Sequence, residues 1–191
     1  MTDTPALRPK ALPPNVFAPE RIEVDEFQLR RFTPDDVQAL HEAIKASFAE
    51  IHPWMPWCTD PVDIDDQRDF VERSFLNWAT GTAFNWGIFA ADGALLGTIS
   101  LMDRLGPGGL EIGYWLRTDA TGKGVMTRAA GRLTEIGLGL PGISRIEIHC
   151  DEANAPSAAV PERLGFRLDR IDDDKPAAPG DTGRLMVWIT P

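Results

Sequence analysis

The chain has 191 residues, 43% hydrophobic and 25% charged, with a formal net charge of −10. That length supports one well-cored domain and is marginal for two. The acidic balance carries no basic footprint for nucleic acid, and no apolar run approaches the roughly 20 residues of a membrane helix, so neither partner is expected.

Residues 1–19 are Pro-rich and read as a loosely held arm; residues 20–191 read as a single domain. RIEVDEFQLRRF, at 21–32, alternates and predicts one or two short strands. Thr33-Pro34-Asp35-Asp36 predicts a helix start, with a capping threonine, proline at the first helical position and a carboxylate three residues after the cap. The helix that follows buries Val37, Leu40, Ile44 and Phe48. His52 to Pro61 holds three prolines in ten residues and cannot be a regular element. Asp65 to Trp78 reads as a second helix, with Phe70, Val71, Phe75 and Trp78 on its apolar face and Gly81 at its end.

Three strands follow: Phe84 to Ala90, Ala94 to Met102 after an Asp92-Gly93 hairpin signal, and Leu110 to Leu116. They predict an antiparallel meander. The order then changes to a helix over Gly124 to Leu138, a strand over Arg145 to Cys150 and a short helix over Ser157 to Leu164. Strands at Phe166 to Ile171 and Leu185 to Ile189 close the chain, and the polar stretch 172–183 reads as a solvated, mobile loop. The fold class is α+β.

Cys58 and Cys150 show no CxxC pairing and read as buried hydrophobes. His41, His52 and His149 show no metal-ligand spacing, so no metal is expected. The opening residues hold no apolar core of signal-peptide length, and a reducing cytoplasm is the expected location.

The most informative segment is the turn Thr121-Gly122-Lys123-Gly124-Val125-Met126-Thr127, set between a strand and a helix. Its glycines let an anion approach the backbone, and the first turn of the helix supplies N–H groups. It completes neither a Walker A nor a Rossmann fingerprint, and a GxG at a helix start is, taken alone, more often an ordinary turn. About thirty residues on lies Asn154-Ala155-Pro156-Ser157, running into Leu164-Gly165-Phe166.

LEIGYWLR, TGKGVMT, RAAGRLTEIG, RIEIHCD and NAPSAAVPERLGF, in this order over about 110–168, resemble the cofactor-binding half of the GNAT N-acetyltransferases. The likeness is strongest to the branch that acetylates ribosomal-protein N-termini and related small amines. Looser similarity, including PWMPW and the DG hairpin, covers about 27–190. The family's signature turn has Gln or Arg, two residues, Gly, one residue, then Gly or Ala. Aligned on Gly124, this chain carries Thr121 and Met126 at the end positions.

The resemblance implies a mostly antiparallel sheet of about seven strands with splayed central strands, flanked by about four helices. It implies acetyl-CoA as acyl donor, its pyrophosphate on Gly122 to Thr127 and its pantetheine arm between the strands at 110–116 and 145–150, bonded by Asn154. Ser157 would protonate the leaving thiolate, or else serve as a plain helix cap. The acceptor would be a primary amine, on a protein N-terminus or a small molecule. Trp54, Trp57 and Trp86 would wall its site, the first two alternatively anchoring their loop to the core. A homodimer is also implied.

Transfer requires a neutral amine. An α-amine with a pKa of roughly 8 is about a tenth neutral at pH 7, so modest base help suffices. Glu111 is the candidate base; its alternative is an exposed strand glutamate with a cross-strand partner. Tyr114 reads as core, and His149 as a surface or packed histidine with a base role as the alternative. Rival readings keep the fold with another acyl donor such as succinyl-CoA, make the chain a non-catalytic CoA sensor, or make it an unrelated α+β binding domain.

Overall fold

The computed structural model describes residues 9–191; residues 1–8 of the expected arm lie outside it. In chain order the elements are β1 (Arg21–Val24), β2 (Phe27–Arg31), α1 (Val37–Ala46), α2 (Phe48–Ile51) and α3 (Ile64–Thr80). Next come β3 (Ala83–Ala90), β4 (Leu95–Met102), β5 (Gly109–Leu116), α4 (Val125–Gly139), β6 (Arg145–Asp151), α5 (Ala155–Arg163), β7 (Arg167–Asp173) and β8 (Arg184–Ile189). The strands form one sheet in the order β1-β2-β3-β4-β5-β6-β8-β7. Among the described residues, only β5 and β6 pair in parallel. The expected α+β class holds, with one strand more because 21–32 divides in two. One helix more appears because Ser47, at φ −120° and ψ 18°, cuts α2 from α1.

Local chemistry accounts for the element ends. Asp36 reaches back to accept hydrogen bonds from the Thr33 N–H at 2.7 Å and the Thr33 hydroxyl at 2.9 Å. Asp63 caps α3 by accepting from the Asp65 N–H at 3.0 Å, and Gly81 closes it at φ 63°. In the β3–β4 hairpin, Gly93 takes φ 87°, a conformation costly for any residue with a side chain.

Side-chain alternation gives the sheet two faces. Trp86, Ile99, Leu110 and Ile112 pack on one with Val125, Ala129 and Leu133 of α4. Phe89 and Trp115 pack on the other with Leu40, Ile44 and Val71 of α1 and α3. On α3 the buried positions are Gln67, Val71, Ser74 and Trp78, whereas Phe75 is exposed beneath the Arg31 guanidinium.

Two expectations change. Residues 11–18 are not loosely held: Ala11, Leu12 and Ala18 are buried, and the Asp103 carboxylate accepts from the Ala11 and Leu12 N–H groups. The stretch 172–183 is not a free loop. Asp172 and Asp173 belong to β7, Ala178 is buried, and the Asp151 carboxylate accepts from the N–H groups of Thr182 and Gly183.

β5 and β6 pair only from Gly109↔Arg145 to Ile112↔Ile148. Beyond that point β5 stays with β4 as far as Leu116, and β6 stays with β8 as far as Asp151. The two central strands splay there, and the opening connects the two faces of the sheet.

Candidate active site

A cleft of about 990 Å³ opens at this splay. Its lining draws Gly113 and Tyr114 from β5, His149 and Cys150 from β6, and Asn154 and Ser157 from the start of α5. Trp54, Trp57 and the loop 174–183 form its outer walls.

On the face toward α1 and α3, five titratable groups form a row: Arg104, Glu111, His149, Glu147 and Arg145. Glu111 and Glu147 are register partners across β5 and β6, and both are buried. Both Glu111 carboxylate oxygens accept from the Arg104 guanidinium. The His149 Nε2 lies 2.7 Å from Glu147 Oε2, and its Nδ1 lies 3.6 Å from Glu111 Oε2. The Arg145 Nε donates to Glu147 Oε1 at 2.7 Å. Burial alone would raise the Glu147 carboxyl, but hydrogen bonds from Arg145 and His149 outweigh it and hold the group below the usual carboxylate range.

On the opposite face, toward α4 and α5, are hydroxyl groups. Asn154 caps α5, its Oδ1 accepting from the Ser157 N–H at 3.2 Å, so Ser157 is not itself the cap. The Ser157 hydroxyl instead lies 3.4 Å from the Tyr114 phenol, and that phenol donates to the Ser157 carbonyl at 2.9 Å. Burial raises Tyr114 well above the usual phenol range, which keeps it a neutral donor. Beside them burial pushes the Cys150 thiol up to about 11, as for an inert buried sulfur.

The glycine-framed turn stands apart from the cleft lining. Gly122 and Gly124 both adopt φ 72°, and Gly124 begins α4 with no side chain capping it. The side chains of Val125 and Met126 turn into the core, while Thr121 to Gly124 are exposed. The first-turn N–H groups of α4 have no intrahelical acceptor, as at any helix start.

Of the three tryptophans, Trp54 and Trp57 line the cleft and Trp86 does not. Trp86 is fully buried on the other face, edge-on to Trp78, and its indole donates to the Pro19 carbonyl at 3.0 Å. Alternation along β3 turns Asn85, not Trp86, toward the cleft, where its side chain bonds Ser74 and Ser100. Trp57 stays 45% exposed, its ring 6.3 Å from Trp115, whereas the Trp54 ring lies where a side chain on Gly180 would crowd it.

Sequence reasoning missed Arg104 and the polar floor of Asn85 and Ser100; it read Tyr114 as core, where it packs, without its bond to the Ser157 carbonyl. A period-two reading of β3 against β4 would have found the floor, since Asn85 and Ser100 are register partners. Arg104 lies outside any element and left no periodic signal.

A family model for the acetyltransferase (GNAT) domain matches residues 26–167. YdaF of Bacillus subtilis (strain 168), provisionally described as a ribosomal N-acetyltransferase, is 31% identical over 147 residues, covering 74% of this chain and 78% of that protein. RimL, a ribosomal L7/L12 α-N-protein acetyltransferase solved with coenzyme A in disulfide linkage to a cysteine, is 25% identical. It superposes with a TM-score of 0.82 over 90% of this chain and 97% of its own. MccE, a microcin C7 self-immunity acetyltransferase solved with acetyl-CoA and AMP, shares the fold at a TM-score of 0.83, with 24% identity over 92% of this chain and 98% of its own. Fold, splayed strands and family match agree: the chain belongs to the GNAT acetyltransferase family and is an acyltransferase.

Proposed function

We propose that this protein transfers acetyl from acetyl-CoA to a primary amine, on a protein N-terminus or a small molecule, by direct attack within a ternary complex. The observation that carries the reading is the splay of β5 from β6. It joins a hydroxyl pair, Ser157 and Tyr114, to a carboxylate row containing Glu111 through one cleft. The relatives named as ribosomal N-acetyltransferases support the amine class.

The residues suit each part of the donor. Gly122 to Thr127 offer uncapped N–H groups to a pyrophosphate, and exposed Lys123 adds a positive charge beside them. Asn154 and Ser157 lie along the splay, where the pantetheine arm would run. Trp54 and Trp57 wall the acceptor side and attract a cationic or apolar amine. In the transfer, the amine nitrogen bonds to the acetyl carbon as the carbon–sulfur bond breaks. The amine proton leaves to Glu111 or a water, and Ser157 returns one to the thiolate. Holding amine and thioester together removes much of the entropic barrier.

A second reading, a carboxylated donor such as succinyl-CoA, draws on Arg104 in the cleft wall. Against it, Glu111 already engages that guanidinium with both oxygens. The test is thiol release with acetyl-CoA and succinyl-CoA across peptide N-termini, amino acids and polyamines. Acetyl-CoA consumption with one amine class is expected; binding of both donors without consumption would sink the enzyme reading. Glu111→Gln should lower kcat and steepen its pH dependence, and unchanged kinetics would remove Glu111 from the mechanism.

A further inference from the structure

We infer that His149 is the group that receives the acceptor amine's proton, oriented by Glu147 and stabilised in its charged form by Glu111. The inference rests on the amine-acetylation reading above and replaces its least specific step. Three observations carry it.

The first is that both Glu111 oxygens already accept from Arg104. A carboxylate held by a guanidinium is a poor proton acceptor, because taking a proton breaks a charge-assisted bidentate contact.

The second is the tautomer. Glu147 is held in its carboxylate form and can only accept, so the Nε2 of His149, at 2.7 Å, carries the hydrogen. The lone pair of neutral His149 is therefore on Nδ1. That nitrogen has no hydrogen-bond donor among the described residues, and the ring lines the cleft. An imidazole fixed in this way by a carboxylate is an oriented base.

The third is position. The last paired residues of β5 and β6 are Ile112 and Ile148, so His149 is the first residue of β6 beyond the pairing. It stands at the splay, on the same face as Glu111 and Trp115.

In the step, the lone pair on Nδ1 takes the proton as the nitrogen–carbon bond forms. The thiolate leaves with the carbon–sulfur electrons, and the imidazolium lies between two carboxylates, with Glu111 Oε2 3.6 Å from the new N–H. The charged groups around the ring are Glu111 and Arg104 on the β5 side, Glu147 and Arg145 along β6, and Arg170 of β7, whose charge reaches Glu147. Across β6 from the ring, β8 contributes uncharged Val187.

The test is kcat against pH, by thiol release with acetyl-CoA and an active amine, for the unmodified chain, His149→Gln and Glu147→Gln. His149→Gln should lose about a hundredfold in kcat, in the range of a general base, with acetyl-CoA binding by calorimetry unchanged. Its acid-side limb should vanish, and free imidazole should restore part of the rate to His149→Ala. Glu147→Gln should move the acid limb to lower pH, because removing the carboxylate disfavours the imidazolium. Wild-type kcat and an intact limb in His149→Gln, or an unmoved limb in Glu147→Gln, would overturn the assignment while leaving amine acetylation standing. No turnover by the unmodified chain with any amine would instead overturn the parent reading and this one with it.

Discussion

At the scale of single residues, the cleft has hydroxyl groups on one face of the sheet and carboxylates on the other. Ser157 is released from capping duty by Asn154, which lets its hydroxyl turn toward Tyr114. If that hydroxyl returns the proton to the thiolate, Ser157→Ala should lower kcat by about a hundredfold with little change in the KM for acetyl-CoA. A rise in KM at constant kcat would make Ser157 a binding residue only. Asn154 and Ser157 were legible as a polar pair at a helix start, but which of them caps it was not: the serine was the candidate cap, and Asn154 takes that place. Glu111 was legible as a charge on a central strand. Its engagement by Arg104 was not, since that contact depends on how a loop without periodicity folds back. Trp86 shows the limit most clearly. A strand tryptophan near the acceptor side is a reasonable pocket wall, yet alternation assigns that side to Asn85.

At the scale of elements, the ends are set by short-range chemistry. Asp36 joins β2 to α1: it accepts from Arg30 at 2.7 and 2.8 Å as well as from Thr33. Burial alone would raise this carboxyl, but the bonds from Arg30 and Thr33 outweigh it and lower it. A carboxyl lowered on folding stabilises fully above its unfolded value, near 3.8 here, and the contribution fades as pH falls through the lower folded value. Asp36→Asn should therefore cost roughly 1–3 kcal/mol at pH 7 by denaturant unfolding, with the gap to the parent chain closing as pH falls below 3.8. A gap independent of pH would show that shape, not charge, joins these elements. The helix starts at Thr33 and the hairpin at Gly93 were readable for the same reason: each is decided within about four residues.

At the scale of the whole molecule, the outer wall of the cleft is built from distant segments held against one another. Gly180 donates its N–H to the Pro53 carbonyl at 2.7 Å, tying the β7–β8 loop to the tryptophan-bearing loop. Asp151, at the end of β6, anchors the same loop through Thr182 and Gly183. Asp151→Ala should accelerate amide hydrogen exchange at Thr182 and Gly183 and raise the KM for the acceptor several-fold, leaving that for acetyl-CoA near its original value. Equal changes in both constants would mean that Asp151 supports the fold as a whole. By itself the sequence determined the order and type of most elements, the helix start at Thr33, the helix end at Gly81 and the glycine-framed turn, because these depend on neighbours a few residues apart. The tertiary structure decided which side chains face the cleft, where β5 and β6 part, and that His149 stands between Glu111 and Glu147. Those facts depend on strand register, and with a side-chain period of two a shift of one residue exchanges the faces of a strand.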